Sequence, residues 1–242
     1  MNPPLLNIEN LSKRFGGFVA LSAIDLAVQP GERLGIIGPN GSGKTTLINC
    51  ISGALRGDGG SVRFDGRDIT RLPPYRRTRL GIARSFQIPR PFPTMTVAEN
   101  IAVPLEYVAH RRSLHTADVR AEAMEILQRV QLADRADALA GALSQIELRK
   151  LELARAMATG PRLLILDEVM AGLSALEVDE MLEMVMALSG QGMTVMMIEH
   201  IMRAIMRFSQ RVVCLDAGRI VAEAPPAEIV RDRNVQRIYL GA

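Results

Sequence analysis

One short stretch of the chain, residues 38–45, combines glycines with a lysine and a threonine at the spacing of a phosphate-binding loop. It matches the pattern G-x-x-x-x-G-K-[ST] through Gly38, Pro39, Asn40, Gly41, Ser42, Gly43, Lys44 and Thr45. Glycines let the backbone approach phosphate oxygens closely, so that successive N–H groups can point at them. Lys44 is expected to reach the β- and γ-phosphates, and the Thr45 hydroxyl to bind Mg²⁺. The pattern therefore predicts a site for β- and γ-phosphates and Mg²⁺.

The residues on both sides of this loop have the composition that such a site requires. Arg33–Ile37 is a short apolar run that predicts a buried strand, and residues 46–51 are expected to form the first turns of a helix. The N-terminus of that helix adds partial positive charge beside the phosphates, and Thr46 is included among the expected nucleotide contacts. A glycine-rich turn without function is the alternative, but it does not require strand, loop and helix to follow in this order.

A second candidate site follows another apolar run, where residues 162–166 lead into Asp167 and Glu168. An aspartate at the end of a buried strand can hold Mg²⁺ through water, and a neighbouring glutamate can orient or deprotonate an attacking water. Open α/β sheets bind ligands at the ends of such strands. Two exposed acids at a helix start would be the alternative, and the phosphate loop favours the catalytic interpretation. His200 ends the apolar run 194–199 in the same way, although a lone histidine is more often structural.

An aromatic residue upstream of the loop, Phe15, has two possible roles. It could stack on an adenine ring, or it could be an ordinary buried aromatic, and the sequence alone leaves both open. Cys50 and Cys214 both lie in apolar segments without paired spacing, which predicts reduced thiols in the core.

The composition and the order of patterns predict a globular α/β protein. The chain has 242 residues, of which 48% are apolar and 23% charged, and its net charge of +3 is too small to indicate a nucleic-acid partner. No apolar run approaches the ~20 residues of a membrane span and the N-terminus has no signal peptide pattern, so a cytoplasmic protein is expected. Two strands, at residues 5–11 and 18–28, flank a turn at residues 13–17, and strands and helices alternate later. This mixture predicts a mostly parallel sheet with flanking helices and an N-terminal antiparallel sheet.

Taken together, these motifs and their order resemble the ATP-binding subunit of ABC transporters along essentially the whole chain. The resemblance implies that residues 38–45 are Walker A and that Phe15 stacks on adenine. It implies that Gln87 is the Q-loop glutamine, which reaches Mg²⁺ or water and couples to the membrane partner. Asp167 and Glu168 then match Walker B and the catalytic glutamate, and His200 matches the switch histidine that contacts the γ-phosphate.

The resemblance also implies a domain organisation and a set of partners. A P-loop NTPase core is expected at roughly 1–86 and 160–242, with a helical subdomain at 88–158. Several short stretches are similar to the larger ATPase of the branched-chain amino acid uptake subfamily, namely residues 13–17, 83–87, 171–173 and 198–200 and the closing Tyr239-Leu240-Gly241. This implies an importer of branched-chain amino acids or a related small polar solute. A second ATPase subunit, two transmembrane permeases and, indirectly, a periplasmic solute-binding protein are the implied partners. The chain would lie on the inner face of the plasma membrane and bind no nucleic acid.

The signature motif of the family, L-S-G-G-Q, departs from the pattern in this chain. It falls at residues 143–147, where only Leu143 and Ser144 agree, and Ile146 and Glu147 replace glycine and glutamine. Ser174 stands at the D-loop aspartate, and Val169 follows Glu168 in place of proline. Two interpretations stay open. Either the ATP site that uses this signature is slow, which favours a heterodimer over a homodimer, or the helix starting at Ser144 still supplies N–H groups to nucleotide.

Two other classes of function are compatible with a phosphate loop. One is a soluble ABC-type ATPase that acts on nucleic acid or ribosomes, and the other is a small-molecule phosphotransferase. The modest charge and the lack of long inserted helices count against the first. The order of Gln87, the remnant signature and His200 counts against the second.

Overall fold

A computed structural model describes residues 3–85, 89–109 and 116–240. The strands are β1 (Leu6–Phe15), β2 (Phe18–Val28), β3 (Arg33–Ile37), β4 (Gly59–Phe64), β5 (Arg67–Asp68), β6 (Ile82–Arg84), β7 (Leu163–Asp167), β8 (Thr194–Ile198), β9 (Arg211–Asp216) and β10 (Arg219–Ala224). The α-helices are α1 (Lys44–Ser52), α2 (Pro74–Leu80), α3 (Val97–Ala109), α4 (Thr116–Arg129), α5 (Gln145–Met157), α6 (Ala175–Gly190), α7 (Met202–Phe208), α8 (Pro226–Ile229) and α9 (Arg233–Leu240).

The strands form two sheets, as the order of sequence patterns predicts. The N-terminal sheet is antiparallel, with the strand order β2-β1-β4-β5. The central sheet has the order β10-β9-β3-β8-β7-β6, in which only the edge strand β10 runs antiparallel to its neighbour. Strands β3, β7 and β8 are apolar along most of their length because both faces of the central sheet are covered. The α/β fold class is therefore confirmed.

Two hydrophobic clusters cover the two faces of the central sheet. One combines side chains of the antiparallel sheet and α1 with one face of β3, β7 and β8. The other joins the opposite face to α3–α7. Strand residues alternate between the clusters, as Ile36 and Ile37 do, so the central sheet is the common wall of both.

Helix starts near the predicted sites are fixed by reciprocal side-chain caps. The Thr96 hydroxyl accepts a hydrogen bond from Glu99 N–H, and the Glu99 carboxylate accepts one from Thr96 N–H, so the two residues form a capping box at the start of α3. Ser144 and Glu147 cap α5 in the same manner. The helix predicted to start at Ser144 is thus confirmed, with Ser144 as its N-cap.

Two features of the chain ends differ from expectation. The turn expected at residues 13–17 is wrong, because β1 continues to Phe15 and only Gly16 and Gly17 form the turn before Phe18. A two-residue glycine loop is enough for a tight hairpin, so the strand has no need to end earlier. At the other end, α9 was not predicted.

Cys50 and Cys214 are buried and free, as expected. Among residues 3–85, 89–109 and 116–240, no helix is both long and apolar enough to cross a bilayer.

Candidate functional site

The phosphate loop connects the C-terminal end of β3 to the start of α1. Its glycines are required by the backbone and by close neighbours. Gly41 and Gly43 have φ of 80° and 108°, a region that favours glycine. A Cβ on Gly38 would lie 2.2 Å from the Leu215 carbonyl oxygen, and one on Gly43 would lie 2.7 Å from that of Ala20. The loop is therefore held between the hairpin β1–β2 and the end of β9.

Two polar side chains of the loop point inward. The Lys44 ammonium donates hydrogen bonds to the carbonyl oxygens of Gly38, at 2.7 Å, and Pro39, at 2.9 Å. Burial lowers the pKa of Lys44, while the nearby carboxylates of Glu168 and Asp167 oppose this shift. Ser42 is 2% exposed, and within the described part of the chain its hydroxyl oxygen has no hydrogen-bond partner.

The helix that follows the loop has opposite arrangements at its two ends. At its start, Gly43 provides no side-chain cap, and within the described chain the first turn carries no acidic residue. N–H groups there are left for an anion. At its end, the buried Arg77 guanidinium donates to the carbonyl oxygens of Cys50, at 2.6 Å, and Ile51, at 2.8 Å. A cation at the C-terminus complements the helix dipole. Thr45 is exposed and Thr46 is half-buried in the first turn.

Asp167, at the end of β7, is buried and forms an ion pair that sequence reasoning missed. Arg84 Nη2 donates to Asp167 Oδ2 at 2.7 Å, and Arg84 Nη1 donates to Asn49 Oδ1 of α1 at 2.6 Å. Arg84 ends β6, the strand beside β7, and its register partner is Ile165. The sequence pattern that predicts Asp167 as a site residue is a charged residue at the end of a buried strand. Arg84 fits the same pattern.

Glu168 and His200 are brought together by adjacent strands. Strand β7 pairs with β8 so that Asp167 lies opposite Ile198, and both side chains follow within two residues. Glu168 Oε1 is 2.7 Å from His200 Nε2. Glu168 has a φ of 51°, which is uncommon for a residue with a side chain and costs roughly 1–2 kcal/mol. Strained backbone of this kind is concentrated at functional sites.

A buried carboxyl group, that of Glu199, immediately precedes His200 in the chain. Glu199 is 2% exposed, and its Oε1 accepts a hydrogen bond from Met170 N–H at 2.8 Å. Burial raises the pKa of Glu199 to about 7, and the charge of Glu168 adds to the rise. Arg149 of α5 donates to the Ala171 carbonyl oxygen in the same segment at 3.1 Å. The segment after Glu168 is thus tied to the residue that follows β8 and to α5, the helix that Ser144 caps.

The remaining predicted site residues fall in three places. Phe15 ends β1, is 48% exposed, and has the Lys13 ammonium 5.4 Å from its ring centre. The same hairpin reaches the phosphate loop, because Ala20 on β2 abuts Gly43. Gln87 lies outside the residues that the structure describes. Ser144 is exposed at the start of α5.

The variant signature is engaged in local contacts of its own helix. Glu147 Oε2 accepts a hydrogen bond from Ser144 N–H at 2.8 Å, and this bond lowers the pKa of Glu147. Arg135 lies 3.2 Å from the other carboxylate oxygen of Glu147. The Gln145 amide packs against Gly172, where a Cβ would lie 2.4 Å from its nitrogen. The Glu147 carboxylate is thus occupied at the helix start.

Comparison with known proteins gives the family. The family model described as ABC transporter matches residues 21–171. A probable branched-chain amino acid transport ATP-binding protein LivG of Archaeoglobus fulgidus is 37% identical over 246 residues, covering 98% of this chain and 96% of the relative. The high-affinity branched-chain amino acid transport ATP-binding protein BraF of Pseudomonas aeruginosa is 37% identical over 258 residues, covering 100% and 99%.

Solved structures agree with the sequence matches. A nucleotide-free ATP-binding cassette from an ABC transporter has a TM-score of 0.88 at 34% identity, covering 99% of this chain and 100% of its own. The ADP conformation of MJ1267, an ATP-binding cassette of an ABC transporter, has a TM-score of 0.87 at 31% identity, with full coverage of both. A dimeric post-hydrolysis state of the cassette MJ0796, bound to ADP and Pi, has a TM-score of 0.82 at 26% identity, covering 91% and 98%. The chain therefore belongs to the ABC transporter family, as a nucleotide-binding ATPase subunit whose hydrolysis of ATP serves transport.

Proposed function

We propose that this chain powers a membrane importer of branched-chain amino acids or a related small polar solute. The observation that carries the proposal is the full-length similarity to ATP-binding proteins named for branched-chain amino acid transport. The chain would lie at the inner face of the plasma membrane, in the cytoplasm, held there by permease subunits. A periplasmic solute-binding protein would deliver the solute to those permeases.

In this proposal the loop at residues 38–45 cradles the triphosphate of ATP. The uncapped start of α1, the unpartnered Ser42 hydroxyl and the cationic Lys44 are all suited to phosphate oxygens. Lys44 would exchange its bonds to the carbonyl oxygens of Gly38 and Pro39 for bonds to phosphate. The exposed ring of Phe15, at the tip of the hairpin beside the loop, would stack on the adenine.

The residues expected to hold Mg²⁺ have suitable donors. Thr45 offers a hydroxyl and Asp167 a carboxylate, and hard oxygen ligands of this kind suit Mg²⁺. The Arg84 guanidinium forms an ion pair with Asp167. This pairing with a cation supports the assignment of the Asp167 carboxylate to Mg²⁺. Bound Mg²⁺ would supply charge neutralisation to the phosphates. We also assign Gln87 to Mg²⁺ binding and to catalysis, because its side-chain amide offers an oxygen ligand.

Glu168 and His200 are the proposed catalytic pair. Glu168 would orient or deprotonate the attacking water, and His200 would hold Glu168 and contact the γ-phosphate. Their 2.7 Å contact already brings a carboxylate and an imidazole together at the same end of the central sheet. The constrained backbone of Glu168 limits where the carboxylate can point.

A groove beside the site provides the proposed docking place for a permease. It encloses about 470 Å³ between α2, α3, α5 and β6. Apolar groups come from Val103, Pro104 and Tyr107, and charged groups from Arg84, Arg90, Arg155 and Glu152. Because Arg84 also binds Asp167, it spans the groove and the ATP site. A short permease helix with apolar and acidic side chains would complement this lining, and its movement would reach Asp167 through Arg84.

The second ATPase subunit is proposed to be a different chain. A related cassette forms a dimer bound to ADP and Pi, which supports pairing of cassettes across nucleotide. Ser144 would contact nucleotide held by the partner. In this chain Glu147 is committed to capping α5, and Ile146 stands where close backbone approach requires glycine. A heterodimer would combine the complete ATP site of this chain with an intact signature from its partner.

Reconstitution tests the proposed transport function. The chain is co-expressed with the two permeases and the second ATPase of the proposed transporter, and the purified complex is placed in liposomes with the solute-binding protein. We expect ATP-dependent accumulation of labelled leucine, and none with a Lys44→Ala complex. Recovery of the chain with ribosomal RNA and without permeases would contradict the proposal and support the alternative of a nucleic-acid ATPase.

A further inference from the structure

The C-terminal helix α9 reaches the phosphate loop through one hydroxyl group. The Gly38 N–H donates a hydrogen bond to the Tyr239 hydroxyl oxygen at 2.7 Å, although 201 residues separate the two in the chain. The start of α9 is fixed by Asp232, whose carboxylate accepts from the N–H of Asn234, at 2.8 Å, and Val235, at 3.1 Å. Val235 is 4% exposed, so the helix is anchored on the core before it reaches Tyr239.

The N–H group of Gly38 lies beyond the end of the β3–β9 ladder. The ladder between β3 and β9 ends with Ile37 opposite Cys214, one residue before Gly38. Gly38 is buried, and the Leu215 carbonyl lies so close that a Cβ could not be accommodated. A buried N–H group without a hydrogen-bond partner lowers the stability of the fold. The Tyr239 hydroxyl supplies an acceptor at the position where the β3–β9 ladder has ended. Partial burial raises the pKa of Tyr239, so its hydroxyl stays protonated.

Gly38 also contacts Lys44, the lysine of the phosphate loop. Its carbonyl oxygen accepts a hydrogen bond from the Lys44 ammonium at 2.7 Å. Tyr239, Gly38 and Lys44 therefore form one continuous chain of contacts from α9 to the phosphate-binding lysine. Fixing the Gly38 peptide limits the conformations of the loop, and a preorganised loop loses less freedom when it binds nucleotide.

We propose that Tyr239 is a positioning residue of the ATP site, which sets ATP affinity by holding the first residue of the phosphate loop. The packing of α9 does not itself need the hydroxyl, because Val235 and Ile238 make the contacts with the core. Within the described residues, the Tyr239 hydroxyl makes its hydrogen bond with Gly38 of the phosphate loop. The inference concerns nucleotide affinity of the chain and is independent of the identity of the transported solute.

The test is Tyr239→Phe in the full chain, which keeps the ring and removes the hydroxyl. Titration calorimetry with β,γ-imido-ATP and Mg²⁺ should give a Kd about 3- to 10-fold higher than that of the unchanged chain, the range expected for one neutral hydrogen bond. In the assembled complex, KM for ATP should rise by a similar factor, while kcat at saturating ATP should stay within about 2-fold. The matched control is Tyr75→Phe, an exposed tyrosine on α2.

The outcomes separate positioning from simple stability. A Kd that rises for Tyr239→Phe and not for Tyr75→Phe supports the inference. An unchanged Kd overturns it, whether or not the melting temperature falls, because a purely structural hydroxyl would lower stability without changing affinity. If the unchanged chain bound no nucleotide, its function as an ATPase would be contradicted, which is a different failure.

Discussion

Glu168 and His200 are in contact through their side chains, with Glu168 Oε1 2.7 Å from His200 Nε2. The contact follows from the sheet, because β7 and β8 are adjacent, parallel and in register at Asp167 and Ile198. The Glu168 side chain is 19% exposed and that of His200 is 45% exposed, so the pair faces the surface at the end of the central sheet. A preformed pair of this kind can hold the carboxylate for an attacking water.

Replacing His200 by alanine should slow ATP hydrolysis. We expect turnover of the assembled complex to fall by about 10²-fold, the loss typical of one preorganised transition-state donor. The chain should still bind ATP, because the phosphate loop is not altered. The matched control is Arg203→Ala, an exposed residue nearby on α7, and an equal loss of turnover in both variants would contradict the role of His200.

Glu199 should make the stability of the protein depend on pH. Burial raises its pKa from an ordinary value near 4.5 to about 7. The folded protein therefore retains a proton that the unfolded chain has lost, and stability falls as pH rises from about 4.5 to about 7. Glu199→Gln removes this loss and keeps an oxygen for Met170 N–H.

Denaturant unfolding at about pH 5 and about pH 8 measures the effect. Relative to the unchanged protein, Glu199→Gln should gain on the order of 2 to 3 kcal/mol more at the higher pH. The exposed Glu125→Gln change on α4 is the control and should show no such difference. A Glu199→Gln gain that is equal at both pH values would show that the carboxyl does not titrate in this window.

Arg84 and Asp167 should be energetically coupled. Their side chains are only 15% and 7% exposed, so either single change, Arg84→Met or Asp167→Asn, leaves a buried charge without the opposite charge of the pair. Each should cost about 3–5 kcal/mol of unfolding free energy, and the double variant should cost less than the sum by at least about 1 kcal/mol.

The control for this cycle is the exposed pair of Arg162 and Asp65, which are 50% and 51% exposed. Its coupling should stay below about 1 kcal/mol. Equal coupling in the two pairs would show that burial does not strengthen the contact at Asp167.

The variant signature should limit one of the two ATP sites of the complex. Replacing Gln145, Ile146 and Glu147 by Gly, Gly and Gln should raise ATP turnover at least about 2-fold, because a second working site joins the first. Glutamine at position 147 still caps the helix, as both Glu and Gln close a capping box. Glu147→Gln alone is the control that removes the charge and keeps Ile146. Unchanged turnover in the triple variant would support the alternative that this signature is fully functional.

Much of the local structure could be predicted because it depends on neighbouring residues. The limits of β2 and β3 follow from their apolar runs and flanking turns, and both match the prediction. The Walker-type loop was recognisable for the same reason, since its glycines, lysine and helix start are consecutive. The error at residues 13–17 arose where the end of a strand depends on pairing, with Phe15 opposite Phe18.

Contacts between distant residues could not be predicted from the sequence. Arg84 is 83 residues from Asp167, and their ion pair depends on β6 lying beside β7. The hydrogen bond from Gly38 to Tyr239 depends on where a helix outside the predicted elements ends. Sequence patterns identify groups capable of chemistry, whereas strand order decides which of them meet.

The most direct test of the account is ATP hydrolysis by the assembled complex carrying Glu168→Gln. We expect turnover to fall by at least about 10²-fold, the contribution of a general base, while the complex still binds ATP and Mg²⁺. The exposed Glu228→Gln change on α8 should leave turnover unchanged. If Glu168→Gln hydrolyses ATP at the rate of the unchanged complex, Glu168 is not the catalytic carboxylate and the proposed mechanism is wrong.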